Sequence, residues 1–425
     1  MDTIFALASA RGRAGVSVVR MSGPGADAAL GALCGPLPPE RTAALRTLRI
    51  GGEIVDRALV LRFARGASFT GEAVAELHLH GSVAVVSAVL GALGRMAGLR
   101  LAEPGEFTRR ALENDRLDLA QVEGLGDLIA AETEAQRRQA MRLFAGELGA
   151  RAAAWRARGL GLLARIEAAI DFSEEEIPRN LEEGLAGELR ALAEELEGQL
   201  RGHGAAERIR EGFEVAIIGA PNSGKSTLLN RLAGREAAIT SAIAGTTRDV
   251  IEVRMDIGGL AVTLLDTAGL RESADPIETI GIARSLERAE RADLRVHLRD
   301  PAEPGPAAAD RLSGPEDIVI YGKSDLHGRQ PGISGLTGAG IEDLVAEISS
   351  RLSSRAAGAG IVVRARHRVA LEAAAAALRA AAGAQAVEMR AEELRIAMAR
   401  LDAIVGRIDV EHILGEIFAS FCIGK

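Results

Sequence analysis

The chain carries 51 basic residues, and only Lys225, Lys323 and Lys425 among them are lysine. Arginine is a planar fork and lysine a compact point charge, so a lysine retained against that background marks a small oxygen-lined site that a fork does not fit. The first stands in GAPNSGKS, Gly219–Ser226, which fits G-x-x-x-x-G-K-[S/T] after an apolar strand, EVAIIG, and before a helix. There the glycines let backbone N–H groups close around phosphates at a helix N-terminus. Lys225 neutralises the terminal phosphates and the Ser226 hydroxyl binds Mg²⁺.

Downstream, AGTTRD (Ala244–Asp249) and DTAG (Asp266–Gly269) stand in the order and spacing of a GTPase. Thr247 would complete the Mg²⁺ shell around a γ-phosphate, Asp266 would hold the metal through water, and the Gly269 N–H would face the γ-phosphate. YGKSD, Tyr321–Asp325, falls where a guanine-reading N-K-x-D belongs, with Asp325 accepting from the purine's ring N–H and exocyclic amine. Lys323 is thereby the second lysine explained. Gly322 replaces the Asn of that motif and Gly335 the Ala of the usual Ser-Ala-Lys loop at Ser334, so an ATPase or relaxed-specificity NTPase stays open. After DTAG, Leu270 cannot orient water as the Gln of many regulatory GTPases does. Glu278 is the acidic side chain expected in that role; a solvated carboxylate at a helix start is the alternative. No arginine finger is evident.

These residues need elements to position them. Residues 1–116 mix strands (VSVVRMSG, RALVLRFAR, AVAELHLHG) with one helix, SVAVVSAVLGALGRMAG, and predict a small α+β unit. Residues 117–210 read as helical, with Leu181, Leu185, Leu189, Leu192 and Leu196 forming a bundle-packing stripe. Residues 211–357 alternate strand and helix as a parallel α/β domain does, and 358–425 are helical again. The α/β domain thus sits between two helical stretches able to pack as one bundle. His78 and His80 share a strand face with Glu76, and with no third ligand apparent they read as strand-face histidines rather than a metal pair.

At 425 residues the chain predicts about three domains, and 48% hydrophobic with 26% charged residues is the composition of a soluble globular protein. No apolar run spans a bilayer and the N-terminus lacks a leader pattern, so a cytoplasmic protein is expected. With only Cys34 and Cys422, neither a disulfide framework nor a cysteine-built zinc site is expected. A net charge of −8 argues against a wholesale nucleic-acid coat and leaves room for a local basic groove.

Together GAPNSGKST, SAIAGTTRDVIE, DTAGLRES and the terminal FASFCIGK resemble the bacterial tRNA-modification GTPases of the MnmE/TrmE family. DTIFALASARGRAGVSVVRMSG, FTGEAVAELHLHG, PGEFTRRALENDRLDLAQVEGLGDLI and DFSEEEIP extend the likeness from residue 2 to 425. The resemblance implies a multidomain chain of α+β, all-α and α/β parts: a tetrahydrofolate-binding and dimerisation domain (1–116), a helical domain from both flanks (117–210 and 358–425), and an inserted GTPase domain (211–357). It implies a homodimer that joins a FAD-dependent flavoprotein of the MnmG/GidA type in a heterotetramer. Together they would place an aminomethyl-type group on C5 of the wobble uridine of certain tRNAs, with no membrane involved.

The cofactors so implied are GTP, Mg²⁺, K⁺ and 5-formyl- or methylene-tetrahydrofolate. GTP would lie against Asn222, Ser223, Gly224, Lys225, Ser226 and Thr227, then Ser241, Ala242, Ile243, Ala244, Gly245, Thr246 and Thr247. Asp266, Thr267, Ala268 and Gly269 would follow, with Lys323, Asp325, Ser334 and Gly335 at the base. Ser226 and Thr247 would hold Mg²⁺; Asn222, Ser241, Ile243 and Thr246 would hold a K⁺ in place of the missing finger. Glu278 and Lys225 would serve hydrolysis. Arg20, Glu76, Arg116 and Lys425 would bind the folate, with the terminus inserted into the folate or uridine site. Cys422 belongs to that terminus as a nucleophile, a redox group or a packed side chain. A different class, an RNA-binding ribosome-assembly GTPase, predicts an RNA-binding module such as a KH loop beside the GTPase domain, and none is apparent.

Overall fold

The computed structural model describes residues 2–171, 184–235, 238–239, 252–266, 287–302, 314–407, 411–419, 421 and 423–424. By internal contacts the chain divides into two compact units: Met1–Gly126 with Phe144–Leu160 and Met398–Lys425, and Asp127–Leu143 with Gly161–Ala397. Texture along the sequence follows residue type, whereas compactness follows which side chains pack together. The helices Leu119–Ala130, Glu147–Asp171 and Val387–Val405 accordingly give residues to both units.

The first unit is built on a six-stranded sheet of β1 (Thr3–Leu7), β2 (Ala14–Ser22), β3 (Ala44–Ile50), β4 (Glu53–Phe63), β5 (Val74–Gly81) and β6 (Leu99–Leu101), ordered β3-β4-β5-β2-β1-β6. Helices α1 (Ala26–Cys34) and α2 (Val83–Leu93) supply side chains to its main core, where Phe5, Val19, Met21, Leu77 and Leu79 meet Leu30 and Val89. Side chains alternate across a strand, so Arg20, Glu76, His78 and His80 lie on the opposite face. The register pairs Arg20 with Glu76, Val18 with His78 and Val16 with His80. Where one helix is expected in residues 1–116, three form: α1, α2 and α3 (Glu106–Glu113). The missed α1 buries Ala26, Ala29, Leu30 and Leu33, a helical stripe half made of alanine that hydropathy reads weakly. The helix Glu411–Ala419 belongs to the same unit, where Phe418 and Phe421 join Val122 in a small core.

The second unit holds helices and a second sheet. Leu185, Leu189, Leu192 and Leu196 are buried along Leu185–Leu200, which packs on Ala365–Gly383; Leu181 lies outside the described residues. The sheet comprises β7 (Phe213–Gly219), β8 (Glu252–Ile257), β9 (Leu260–Asp266), β10 (Leu294–Arg299) and β11 (Ile318–Tyr321), ordered β11-β10-β7-β9-β8. All its pairings are parallel except that of β8 with β9. β7 lies at the centre with Val215, Ala216, Ile217 and Ile218 all buried, the continuous apolar run of a strand covered on both faces.

Candidate nucleotide site

β7 ends at Gly219 and the helix Lys225–Ala233 starts after Gly224, at φ 100°, with Asn222 at φ 61°. Left-handed backbone is open to glycine and better tolerated by Asn than by most residues, which is why this turn carries these two. Lys225 Nζ donates to the carbonyls of Gly219 at 2.8 Å and Ala220 at 2.7 Å. Burial pulls the Lys225 pKa down, against the pull of the Asp266 charge. Asp266, at the end of β9 and 1% exposed, has its carboxyl pushed up by burial, against the opposing influence of Lys225 and Ser226. Ser226 Oγ donates to Asp266 Oδ2 over 3.3 Å, while Asp266 Oδ1 is buried with no hydrogen-bond partner. A buried oxygen without a donor is destabilising. A hard cation that keeps its waters would supply donors there, so the pair fits Mg²⁺.

At the base end Lys323 takes φ 57° and its Nζ donates to Asp300 Oδ2 at 2.7 Å. That bond, first among several causes, holds the Asp300 carboxyl below its usual value. A cavity of about 590 Å³ is lined by Asn222, Ser223, Gly224, Lys225, Ser226 and Thr227 together with Lys323, Asp325, Ser334 and Gly335. The two departures from the GTPase pattern both stand in close quarters. A Cβ on Gly322 would lie 2.5 Å from the Ser223 carbonyl oxygen, and one on Gly335 would lie 2.9 Å from Thr227 Cγ2. Gly322 has no room for a side chain, and at Gly335 the Thr227 methyl would have to give way. Ser241–Thr247, Thr267–Gly269 and Glu278 lie outside the described residues.

In the first unit Arg20 Nε donates to Glu76 Oε1 at 2.9 Å, and the guanidinium stands 6.0 and 5.8 Å from the ring centroids of Phe69 and Phe107. His78 faces Glu76 at 3.4 Å and His80 faces Asp56 at 2.6 Å, so each histidine has its own carboxylate. Among the described residues no group of three or more metal-ligating side chains assembles. The stem of Arg116 packs on Gly71, and Arg116 lines a cavity of about 650 Å³ whose walls include neither Arg20 nor Glu76. Ile423 bridges to Pro104, and Gly424, at φ 101°, lies so close to Leu7 that a Cβ would stand 2.3 Å from the Leu7 carbonyl oxygen. Leu7 pairs with Val19, the neighbour of Arg20. Cys422 and Lys425 lie outside the described residues.

Asp300, Phe69 and Phe107 were not legible as site residues. Asp300 had one signal, an acid directly after the alternating strand LRVHLR; the two phenylalanines had none, since contact with Arg20 is made only by folding.

A phosphate loop between a parallel strand and a helix, with a carboxylate ending the neighbouring strand, defines a nucleoside-triphosphate-binding protein of the phosphate-loop class. The chain belongs to the MnmE family of tRNA modification GTPases. Residues 119–422 match the MnmE helical domain and residues 3–116 the N-terminus of GTP-binding protein TrmE. The tRNA modification GTPase MnmE of Cereibacter sphaeroides is 57% identical over 431 residues, covering 100% of both chains. Its counterpart in Roseobacter denitrificans is 54% identical over 435 residues, again covering 100% of both.

Proposed function

We propose that this chain hydrolyses GTP to support tRNA modification. With a flavoprotein partner it adds an aminomethyl or carboxymethylaminomethyl group to C5 of the wobble uridine, in the cytoplasm, with tetrahydrofolate as one-carbon donor. One observation carries the hydrolytic half: a single cavity gathers Lys225 and Ser226 of the phosphate loop with Lys323 and Asp325 of the base loop. The tRNA half rests on the name shared by relatives that match along their whole length.

In this reading Ser226 and Thr247 hold Mg²⁺, which neutralises charge on the phosphates when bound, and Lys225 neutralises the terminal phosphate. Asn222, with Ser241, Ile243 and Thr246, holds a K⁺ that supplies the positive charge an arginine finger supplies elsewhere; the left-handed Asn222 on the cavity wall supports this. Glu278 orients the attacking water. Arg20, Glu76, Arg116 and Lys425 bind the folate, a reading supported by the Arg20–Glu76 pair beside two aromatic rings and by the approach of Gly424 to Leu7. A homodimer through residues 1–116 is supported by Val16, Leu45 and Leu59, exposed by 55, 54 and 46% on the strands that carry or adjoin this face. Insertion of 211–357 into one helical domain is supported by the packing of Leu185–Leu200 on Ala365–Gly383, which flank it in sequence. Among the described residues no helix is long and apolar enough to cross a membrane.

The test is mass spectrometry of wobble nucleosides from a deletion strain, with and without the gene restored. Unmodified C5 in the deletion and recovery on complementation are expected. Unchanged nucleosides would remove the tRNA role, and equal displacement of labelled GTP by ATP would remove the guanine assignment.

A further inference from the structure

The base loop of this chain is built around a missing side chain. Where a guanine-reading motif has Asn, a Cβ at Gly322 would stand 2.5 Å from the Ser223 carbonyl oxygen and 3.2 Å from Leu298 Cδ1. The glycine lets the base loop lie directly on the phosphate loop. It also removes the amide that could tie the two loops together, since a glycine has only its backbone to offer. The Gly322 N–H is spent on the Arg299 carbonyl, 2.9 Å away.

His327, one turn further on, meets that backbone. Its Nε2 lies 2.5 Å from the Gly322 carbonyl oxygen, and its Nδ1 accepts the Arg329 N–H at 3.1 Å. With Nδ1 accepting, the neutral ring carries its proton on Nε2, the nitrogen that donates to Gly322. The ring is set edge-on to Tyr321 at 6.5 Å between centroids, and the Arg329 guanidinium covers the same tyrosine at 5.6 Å. Between the two bonded residues stand Lys323, whose Nζ is fixed on Asp300, and Asp325, on the cavity wall.

We propose that His327 is a positioning residue within the base loop: by pinning the Gly322 carbonyl it fixes the turn that presents Asp325 to the base. This rests on the guanine reading above. The pin acts on binding of the base and leaves the phosphate chemistry alone.

The test compares wild type, His327→Leu, His327→Gln and Gly322→Asn by titration with fluorescent GTP and ATP, GTP turnover, and amide hydrogen exchange over residues 322–328. His327→Leu is expected to weaken GTP binding about fivefold to tenfold, the effect of one hydrogen bond. KM should rise with kcat unchanged, and exchange across the turn should quicken. His327→Gln, whose amide can reach the same carbonyl, should restore affinity to within about twofold of wild type. Gly322→Asn should weaken GTP binding, although it restores the usual motif, because its Cβ forces the loops apart. Unchanged affinity and exchange in His327→Leu would overturn the pin, and tighter GTP binding by Gly322→Asn would overturn the steric account of Gly322. Wild type with no preference for GTP over ATP would instead count against the guanine reading, while exchange in the turn would still judge the pin.

Discussion

Ser226 Oγ donates to one oxygen of Asp266 over 3.3 Å, and the other oxygen of that carboxylate is buried without a partner. The two residues stand at the ends of different elements, the start of a helix and the end of β9, and meet because β7 and β9 are neighbours. The site leaves one buried carboxylate oxygen in need of a donor, and that need has a measurable signature.

Asp266→Asn should stabilise the nucleotide-free protein at neutral pH by about 1 kcal/mol while lowering GTP turnover at least about a hundredfold. The folded pKa of Asp266 is raised, so the ionised form is disfavoured in the fold. Its destabilising effect is absent below the unfolded value of 3.8, grows as pH rises from there toward the raised folded value, and is complete above it. Thermal melts across pH check this: the gain over wild type should vanish near pH 3, and a constant gain would refute the electrostatic explanation.

Replacing K⁺ with Na⁺ should slow GTP turnover at least about tenfold, and Asn222→Ala should reduce the K⁺ rate to the Na⁺ rate. The motive is the Asn222 side chain on the cavity wall in a chain with no evident arginine finger. Turnover indifferent to the cation would rule out ion-assisted hydrolysis.

Glu76→Gln and Arg20→Gln should each weaken tetrahydrofolate binding about tenfold or more in calorimetry and leave GTP turnover intact, because each removes a charge-assisted partner. Equal folate affinity in both variants would move that ligand elsewhere.

Gly424→Ala should detach the chain end from β1: its φ of 101° is strained for alanine and its Cβ would meet the Leu7 carbonyl. Wobble-uridine modification should fall with GTP hydrolysis unchanged, as it should on deletion of the last four residues. Full modification by both variants would take the terminus out of the reaction.

Arg110, 8% exposed, pairs with Asp2 at 2.8 Å, Glu72 at 3.1 Å and Glu106 at 3.1 Å. Arg110→Met should destabilise the first unit by about 3 kcal/mol, because buried carboxylates lose their shared cation. Burial pushes Glu106 up, yet the bonds from Arg100, the Glu103 N–H and Arg110 hold it below its usual value. Stability from this group is therefore full above about pH 4.5 and lost as pH falls through the lowered folded value. Denaturant midpoints at pH 7 and pH 4 measure both effects; an unaltered midpoint at pH 7 would dismiss the network.

Local structure was legible where one residue type had one physical use. The β7–loop–helix unit followed from an apolar run, glycines and a lysine in fixed order, and β2, β4 and β5 from their alternation. Helix α1 escaped because alanines hid its buried stripe. Gly322 and Gly335 looked like losses of specificity; the fold gives them a steric reason that no linear pattern carries.

The sequence by itself determined the phosphate loop, the order of the GTPase motifs and the family, since each is carried by short runs of residues and their order along the chain. Only the tertiary structure decided which distant groups meet: Arg20 with Glu76, Ser226 with Asp266, Lys323 with Asp300, and Gly424 with Leu7. The physical reason is that such pairs are fixed by strand register and by the space a neighbour leaves. Both arise from the packing of the whole core, so no window of sequence contains them.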